Sequence, residues 1–174
     1  EYISYFQVDN PLITIFDPLF IGLHMMDKSQ MSSKALLKAY PTEKVGNFCL
    51  VDGKVTVIEY SDLPEDLAQK KDDDGSLMFE LGSIAIHIIS RTFVEELNHE
   101  SFGLPIHRAV KKIPHVDLKT GRGVEPEKAN GVKLETFVFD ALPLAETSII
   151  LETRREDEFA PVKNAEGNDS PQTS

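Results

Sequence analysis

The chain has 174 residues, of which 41% are apolar and 27% are charged, so it can bury a hydrophobic core and lacks the composition of a disordered protein. Its 29 acidic and 18 basic residues give a formal charge of −11, which disfavours binding to nucleic acids and to anionic membrane surfaces. The single cysteine excludes an internal disulfide and favours a cytoplasmic location, and no apolar run approaches the roughly 20 residues that cross a bilayer.

The first predicted elements are a strand and a helix. Tyr2–Val8 mixes β-branched and aromatic residues before the turn residues at 9–11, which predicts a buried strand. Asp17 followed by Pro18 is typical of a helix N-terminus. We therefore expect an apolar helix over Leu19–Met26 that is buried on most sides.

The centre of the chain predicts a β-hairpin. Two runs between Asn47 and Tyr60 flank Asp52 and Gly53, the residue pair that best favours a two-residue turn with positive φ. The hairpin is followed by Asp62–Lys71, which predicts a short surface helix. Glu59 then lies at the end of the second arm.

Helical signals and a basic connection follow. The apolar run Phe79–Ile89 leads into a helix that Thr92 and Glu95 would open as a capping box. Ile106–Lys133 is locally basic and predicts a long connection with little regular structure. Leu134–Ala145 has the i, i+3, i+4, i+7 spacing of an amphipathic helix.

Strands alternating with helices, together with one hairpin, predict an α/β fold with a mixed central sheet flanked by helices. Thr147–Thr153 predicts the last strand, after which Arg154–Ser174 lacks apolar periodicity. The first strand has no lead-in and the tail has no closing element. We therefore expect residues 1–174 to be an interior segment of a larger enzyme, truncated at both ends.

Four polar residues are candidates for chemistry. Asp9, at the carboxyl end of a strand, could bind a divalent cation or merely begin a turn. Lys133 and Lys163 could hold phosphate or face solvent, and Glu59 could bind sugar hydroxyls or end a solvated strand. His87 lies in an apolar run and is predicted to be a core histidine with its hydrogen bonds satisfied.

Several enzyme classes have no support in the sequence. It contains no nucleophile elbow, no Cys/His pair, no His-Glu-x-x-His helix and no glycine-rich phosphate loop. The residues alone therefore predict an α/β ligand-binding domain without naming its ligand.

Six longer strings are more specific than any single residue. They are VDN at 8–10, PTEKVG at 41–46, VIEYS at 57–61, KKIPHVD at 111–117, NGVKLETFVFD at 130–140 and REDEFAPVKN at 155–164. In this order they closely resemble the eukaryotic-type UDP-N-acetylhexosamine pyrophosphorylases, within the UDP-sugar pyrophosphorylase superfamily. The resemblance extends over nearly the whole chain.

The resemblance implies a partial glycosyltransferase-A-like nucleotidyltransferase domain, of which this chain would be the C-terminal portion. Such an enzyme joins UTP and a sugar 1-phosphate with Mg²⁺ and releases pyrophosphate. By resemblance, Asp9 would hold the metal ion, and Lys133 and Lys163 would neutralise phosphate charge. The predicted sugar-binding residues are Gly46, Glu59, Tyr60, Ser83, Phe137 and Phe139.

Two departures from the family pattern leave alternatives open. Ser83 stands where the family usually has a sugar-binding asparagine, so N-acetylglucosamine 1-phosphate is the leading substrate and glucose 1-phosphate the alternative. The family's glycine-rich nucleotide loop would precede residue 1, so we expect little or no activity from the segment alone. A non-catalytic sugar-nucleotide binding module and a structural interaction domain are further alternatives, and the sequence does not predict the oligomeric state.

Overall fold

The computed structural model describes residues 1–99, 103–167 and 169–174. The strands are β1 (Tyr2–Tyr5), β2 (Met31–Leu37), β3 (Gly46–Val51), β4 (Lys54–Ile58), β5 (Leu81–Ser90), β6 (His107–Lys111), β7 (His115–Val116), β8 (Gly123–Val124), β9 (Gly131–Glu135) and β10 (Ile150–Glu152). The α-helices are α1 (Pro18–Asp27), α2 (Glu65–Ala68), α3 (Arg91–Leu97) and α4 (Arg155–Glu158), and a 3₁₀ helix spans Val138–Leu144.

The chain divides into two compact units. The first comprises Glu1–Phe102 and Ala141–Ser174, and the second Gly103–Asp140. Among the described residues, the first unit holds a 6-stranded sheet in the order β10–β2–β5–β3–β4, with β1 also paired to β5. β10 runs parallel to β2, whereas the other pairings are antiparallel. This mixed sheet with accompanying helices confirms the predicted fold class.

β3 and β4 form the predicted hairpin. Asp52 and Gly53 have φ values of 50° and 77°, the positive angles that a tight turn matched to the twist of the strands requires. Val51 pairs with Lys54 directly across this turn. β4 ends at Ile58, so Glu59 lies at the exit of the strand, as predicted.

α1 begins where the sequence predicts but is less buried. Asp17 Oδ1 accepts hydrogen bonds from the backbone N–H groups of Leu19 (2.9 Å) and Phe20 (3.2 Å), so it is the N-cap. Phe20 and His24 are buried, whereas Leu19 and Met26 are 63% and 83% exposed. The predicted burial on most sides is therefore wrong, because the i, i+4 stripe of Phe20 and His24 is the face that becomes buried.

β5 carries a bulge opposite β2. Ser33 pairs with His87 and Ala35 with Ser83, so two steps along β2 correspond to four along β5. Ala85, between them, has a φ of 55°, a left-handed conformation that costs a residue with a Cβ roughly 1–2 kcal/mol. β1 pairs with β5 on one side of the bulge and β3 pairs on the other. The end of β1 and the start of β3 therefore flank the same short stretch of β5.

The second unit differs most from the sequence predictions. Ile106–Lys133 was expected to have little regular structure, yet it contains β6, β7, β8 and part of β9. The helix predicted over Leu134–Ala145 is wrong, because Leu134 pairs with Arg108 in the β6–β9 ladder and a 3₁₀ helix follows. The apolar residues with helical spacing are divided between β9 and the 3₁₀ helix, and Pro143 lies inside the 3₁₀ helix.

The remaining differences concern the ends of elements. α3 begins at Arg91 with Ser90 as N-cap and without a side-chain capping bond, so the predicted capping box of Thr92 and Glu95 is wrong. Phe93 is buried as predicted. β1, β10 and α2 are each shorter than the corresponding predicted element.

The sheet buries both an apolar core and a group of charges. The core cluster comprises Phe20, Leu36, Ile84, Ile86 and Ile88. Among the described residues, no helix has the length and apolar character needed to span a membrane.

A buried lysine connects three elements. Lys34 on β2 is 1% exposed, and its Nζ lies 2.6 Å from Asp17 Oδ2 and also binds Glu158 Oε1. Burial alone would raise the pKa of Asp17, but hydrogen bonds from Lys34 and from the α1 backbone hold that pKa below its ordinary value of 3.8. The ion cluster thereby ties the start of α1 and the end of α4 to the sheet.

The Lys34→Met variant tests this cluster, because it leaves two largely buried carboxylates without their cation. We expect the free energy of unfolding to fall by about 3–5 kcal/mol at pH 7. In the wild type the folded-state pKa of Asp17 is lowered, so its contribution is present above pH 3.8 and is lost as the pH falls through the folded-state pKa below that value. The difference between the two proteins is therefore expected to shrink below pH 4.

Urea titrations followed by circular dichroism at pH 7 and at lower pH measure the effect. Lys70→Met, at an exposed lysine, is the control and is expected to change stability by less than about 0.5 kcal/mol. A loss below about 1 kcal/mol for Lys34→Met at pH 7 would contradict the role given to this cluster.

Candidate functional site

The turn after β1 holds Asp9 against the segment that follows α4. Asn10 is buried, and its side chain donates to Glu158 O (2.7 Å) and accepts from Ala160 N (3.0 Å). The backbone of Asp9 accepts a further hydrogen bond from Val162 N at 2.8 Å. These three bonds join two of the recognised strings, 8–10 and 155–164, that lie far apart in the sequence.

Asp9 and Lys163 face each other across this junction. Lys163 Nζ lies 3.7 Å from Asp9 Oδ2, and the lysine side chain is 43% exposed. Asp9 Oδ1 is buried and has no hydrogen-bond partner among the described residues. A buried carboxylate oxygen without a partner is costly unless another group binds it, so this atom is available for a ligand.

The donor set at Asp9 is compatible with a Mg²⁺ ion. No group of three or more His, Cys, Asp or Glu side chains that could hold a metal ion occurs in the described part of the chain. Mg²⁺ commonly takes one or two protein carboxylates and completes its octahedron with substrate phosphates and water. A single carboxylate with a free buried oxygen is compatible with that arrangement.

The start of β3 brings together three of the predicted sugar-binding residues. Gly46 pairs with Ser83 on β5. A Cβ added to Gly46 would lie 3.4 Å from Ser83 Cβ, 4.0 Å from Glu59 Oε2 and only 2.5 Å from Val57 Cγ1. Gly46 is buried, and Val57 fills the space that a side chain would need, so only glycine fits at this position beside Ser83 and the Glu59 carboxylate. Tyr60 follows at the exit of β4 and lines a neighbouring cavity of about 260 Å³.

An ion pair connects the loop before Gly46 with the segment before Lys163. Arg155 Nη2 donates to both carboxylate oxygens of Glu43, at 2.8 and 2.9 Å, and Glu43 Oε2 also accepts from Ala39 N at 2.7 Å. Glu43 is 8% exposed, whereas the Arg155 side chain is 36% exposed, so solvent screens the pair in part. Sequence reasoning assigned no role to Glu43 or Arg155, although both lie inside recognised strings.

The second unit carries the other predicted site residues. Lys133 lies in β9, and not before a helix as predicted, and it pairs with Glu135. A hydrogen bond from Lys133 holds the pKa of Glu135 below its usual range. Phe137 and Phe139 stack with ring centroids 4.8 Å apart, and His107 Nε2 lies 2.9 Å from Asp140 Oδ2.

His87 is a core histidine, as predicted, but only one of its two ring nitrogens has a hydrogen-bond partner among the described residues. His87 is fully buried, and its Nδ1 lies 2.7 Å from Ser33 Oγ. Its Nε2 has no hydrogen-bond partner within the described residues. Burial lowers the pKa of His87 to about 4, so the ring is neutral at physiological pH.

Comparisons with known proteins agree with the family that the six strings resemble. A family model described as UTP–glucose-1-phosphate uridylyltransferase matches residues 1–168. The chain is 42% identical over 177 residues to UDP-N-acetylhexosamine pyrophosphorylase-like protein 1 of Homo sapiens, covering 100% of this chain and 35% of that relative. It is 38% identical over 180 residues to UDP-N-acetylglucosamine pyrophosphorylase of Saccharomyces cerevisiae, covering 100% of this chain and 38% of that one.

A solved structure agrees in fold. The crystal structure of the UDP-N-acetylglucosamine pyrophosphorylase from Trypanosoma brucei matches with a TM-score of 0.81 at 32% identity, covering 98% of this chain and 33% of that chain. The chain therefore spans about a third of the length of these relatives. The comparisons confirm the resemblance that the six strings predict.

Gly46→Ala tests the close approach at the start of β3. The new Cβ would lie 2.5 Å from Val57 Cγ1, and Val57 is only 6% exposed, so the strands must shift. We expect a loss of about 1–3 kcal/mol in the free energy of unfolding, as in overpacked cores. Gly22→Ala is the matched control, because nothing lies within 4 Å of its added Cβ in α1.

Urea titrations of the two variants, run in parallel, give the comparison. Gly22→Ala is expected to stabilise the protein by roughly 0.5–1 kcal/mol, since alanine is the better helix former. A Gly46→Ala variant as stable as the wild type would show that the strands accommodate the side chain without strain.

Proposed function

Because the chain belongs to the UTP–glucose-1-phosphate uridylyltransferase family, we propose that the protein containing it joins UTP to a sugar 1-phosphate and releases pyrophosphate. The observation that carries the proposal is the Asp9–Lys163 junction, where a carboxylate with an unpartnered buried oxygen lies beside a lysine. Nucleotidyl transfer depends on positioning and charge neutralisation, which these residue types supply.

The proposed reaction is an in-line displacement. An oxygen of the sugar 1-phosphate forms a bond to the α-phosphorus of UTP, and the bond between that phosphorus and the bridging oxygen breaks. Pyrophosphate leaves with the electron pair of that bond. Mg²⁺, when held by Asp9, would supply positive charge to the phosphate oxygens.

The residues of the chain have separate tasks in this proposal. Lys163 and Lys133 neutralise charge that accumulates on the phosphates. Gly46, which has no side chain, lets the sugar approach the backbone of β3, and Glu59 and Tyr60 bind its hydroxyl groups. In the second unit, the stacked rings of Phe137 and Phe139 offer an apolar surface suited to the acyl group of the sugar.

N-acetylglucosamine 1-phosphate is the proposed sugar substrate. The yeast and trypanosomal relatives are named as UDP-N-acetylglucosamine pyrophosphorylases, and this name supports the same substrate class here. One residue favours glucose 1-phosphate as the second candidate. Ser83 replaces the usual asparagine at a position paired with Gly46, so one contact of the family's sugar site differs in this chain.

A cytoplasmic location belongs to the same proposal. The chain has one cysteine, Cys49, which is free and half-buried. Burial raises the pKa of this thiol and therefore lowers its reactivity. A single unreactive cysteine is compatible with a reducing compartment.

The activity and its metal requirement are tested together on the intact protein that contains this chain. With UTP, Mg²⁺ and N-acetylglucosamine 1-phosphate, pyrophosphate release is expected, with a higher kcat/KM than with glucose 1-phosphate. Chelation by EDTA is expected to abolish it. In Asp9→Asn, the Mg²⁺ concentration for half-maximal rate is expected to rise about tenfold or more, a weakening of roughly 1.4 kcal/mol.

Three results would contradict parts of this proposal. Absence of pyrophosphate with every hexose 1-phosphate tried would reject the activity. Calorimetric binding of UDP-N-acetylglucosamine without turnover would favour a non-catalytic binding module. An unchanged Mg²⁺ dependence in Asp9→Asn would remove Asp9 from the metal site.

Lys163→Ala tests the role of the lysine in the intact enzyme. Loss of its charge from the transition state is expected to reduce kcat at least tenfold, or about 1.4 kcal/mol. The exposed Lys70→Ala, measured beside it, is expected to keep kcat within about twofold. A near-normal kcat for Lys163→Ala would remove it from the catalytic residues.

A further inference from the structure

A second buried lysine lies beside the candidate sugar site. Lys38 directly follows β2 and is 9% exposed. Its Nζ donates hydrogen bonds to Asn47 Oδ1 at 2.7 Å and to Pro41 O at 3.1 Å. Burial lowers the pKa of Lys38, partly offset by the nearby charge of Glu43. An ammonium group in this position is costly to bury and needs the bonds that it makes.

Asn47, which accepts the Lys38 hydrogen bond, in turn donates hydrogen bonds to two backbone carbonyl groups. It is 2% exposed, and its Nδ2 donates to Ile58 O at 3.2 Å and to Val45 O at 3.4 Å. These carbonyls belong to the peptide bonds that lead into Glu59 and into Gly46. The Asn47 side chain therefore holds the backbone at the end of β4 and in the loop that leads into β3, directly before each candidate sugar contact.

The surrounding residues leave room for this network. A Cβ added to Gly82 would lie 3.3 Å from Lys38 Cγ and 2.7 Å from Val45 Cγ2, so the glycine admits the lysine stem beneath the loop. Asn47 also lines the cavity of about 260 Å³ that Tyr60 borders. Asn47 thus connects the network to the wall of the cavity beside Tyr60.

We propose that Lys38 and Asn47 are positioning residues for the sugar 1-phosphate, because together they orient the peptide groups that present Gly46 and Glu59. This inference rests on the proposed function. Neither residue touches the reacting phosphates in this assignment. Their loss is therefore expected to weaken sugar binding and to leave UTP binding and the chemical step largely intact.

Asn47→Asp separates the two halves of the network. The aspartate keeps an oxygen for Lys38 but loses the N–H donors to Ile58 and Val45, so a buried ion pair replaces an amide without a change of size. In the intact enzyme, KM for the sugar 1-phosphate is expected to rise at least tenfold. The KM for UTP and kcat are expected to stay within about threefold.

Two further variants accompany this measurement. Lys38→Met keeps the length of the stem but removes the amino group, and it is expected to raise the same KM. Ser32→Ala is the matched control, because Ser32 is fully buried on β2 and its hydroxyl lies 2.7 Å from His24 Nδ1. It is expected to lower the thermal midpoint while leaving both KM values within twofold.

Hydrogen exchange supplies a readout that does not need turnover. In Asn47→Asp, amide exchange over residues 45–47 and 58–60 is expected to accelerate at least tenfold, with β1 unchanged. A tenfold rise in the sugar KM together with faster exchange supports the inference. Unchanged sugar KM in both network variants, equal rises for sugar and UTP, or the same KM change in Ser32→Ala would overturn it.

The wild-type assay distinguishes failure of the proposed function from failure of the positioning inference. If the wild-type enzyme forms no UDP-sugar, the proposed function is wrong and the positioning role is overturned with it. If the wild type is active and the variants keep their sugar KM, only the positioning inference is overturned.

Discussion

The first unit depends on one buried amino group. Lys34 binds Asp17 at the start of α1 and Glu158 at the end of α4, and its ammonium group is the cation that both carboxylates contact. The backbone carbonyl of Glu158 also accepts a hydrogen bond from Asn10, next to Asp9. Glu158 therefore binds Lys34 through its side chain and the turn that contains Asp9 through its main chain.

The bulge in β5 determines which site residues become neighbours. Because Ala85 adopts a left-handed conformation, β1 and β3 occupy one edge of β5 on either side of it. The chain leaves the sheet after β1 and enters it again at Gly46 in β3 beside the same short stretch of β5, between Ser83 and His87. The Glu43–Arg155 ion pair then fixes the loop before β3 to α4. Strain in one strand is thus accompanied by contacts that converge at the site.

Two local signals in the sequence predict local structure correctly. The cap of α1 and the turn between β3 and β4 depend on adjacent residues, and both are confirmed. β2 escapes sequence prediction because Ser32, Ser33 and Lys34 interrupt its apolar pattern, and their partners lie elsewhere in the chain. The same limit applies to the site. The resemblance selects Asp9 and Lys163, but only the fold shows that the two side chains are 3.7 Å apart.

The polar character of β2 has a consequence for how the chain finds its alignment. A one-residue slip of a strand turns each side chain to the opposite face of the sheet. For β2, such a slip would separate Lys34 from its two carboxylates, Ser32 from His24 and Ser33 from His87. In an apolar strand the same error would lose only packing contacts. In β2 it would also leave the Lys34 charge without its two carboxylates, so the misaligned sheet carries an electrostatic cost in addition to the lost packing.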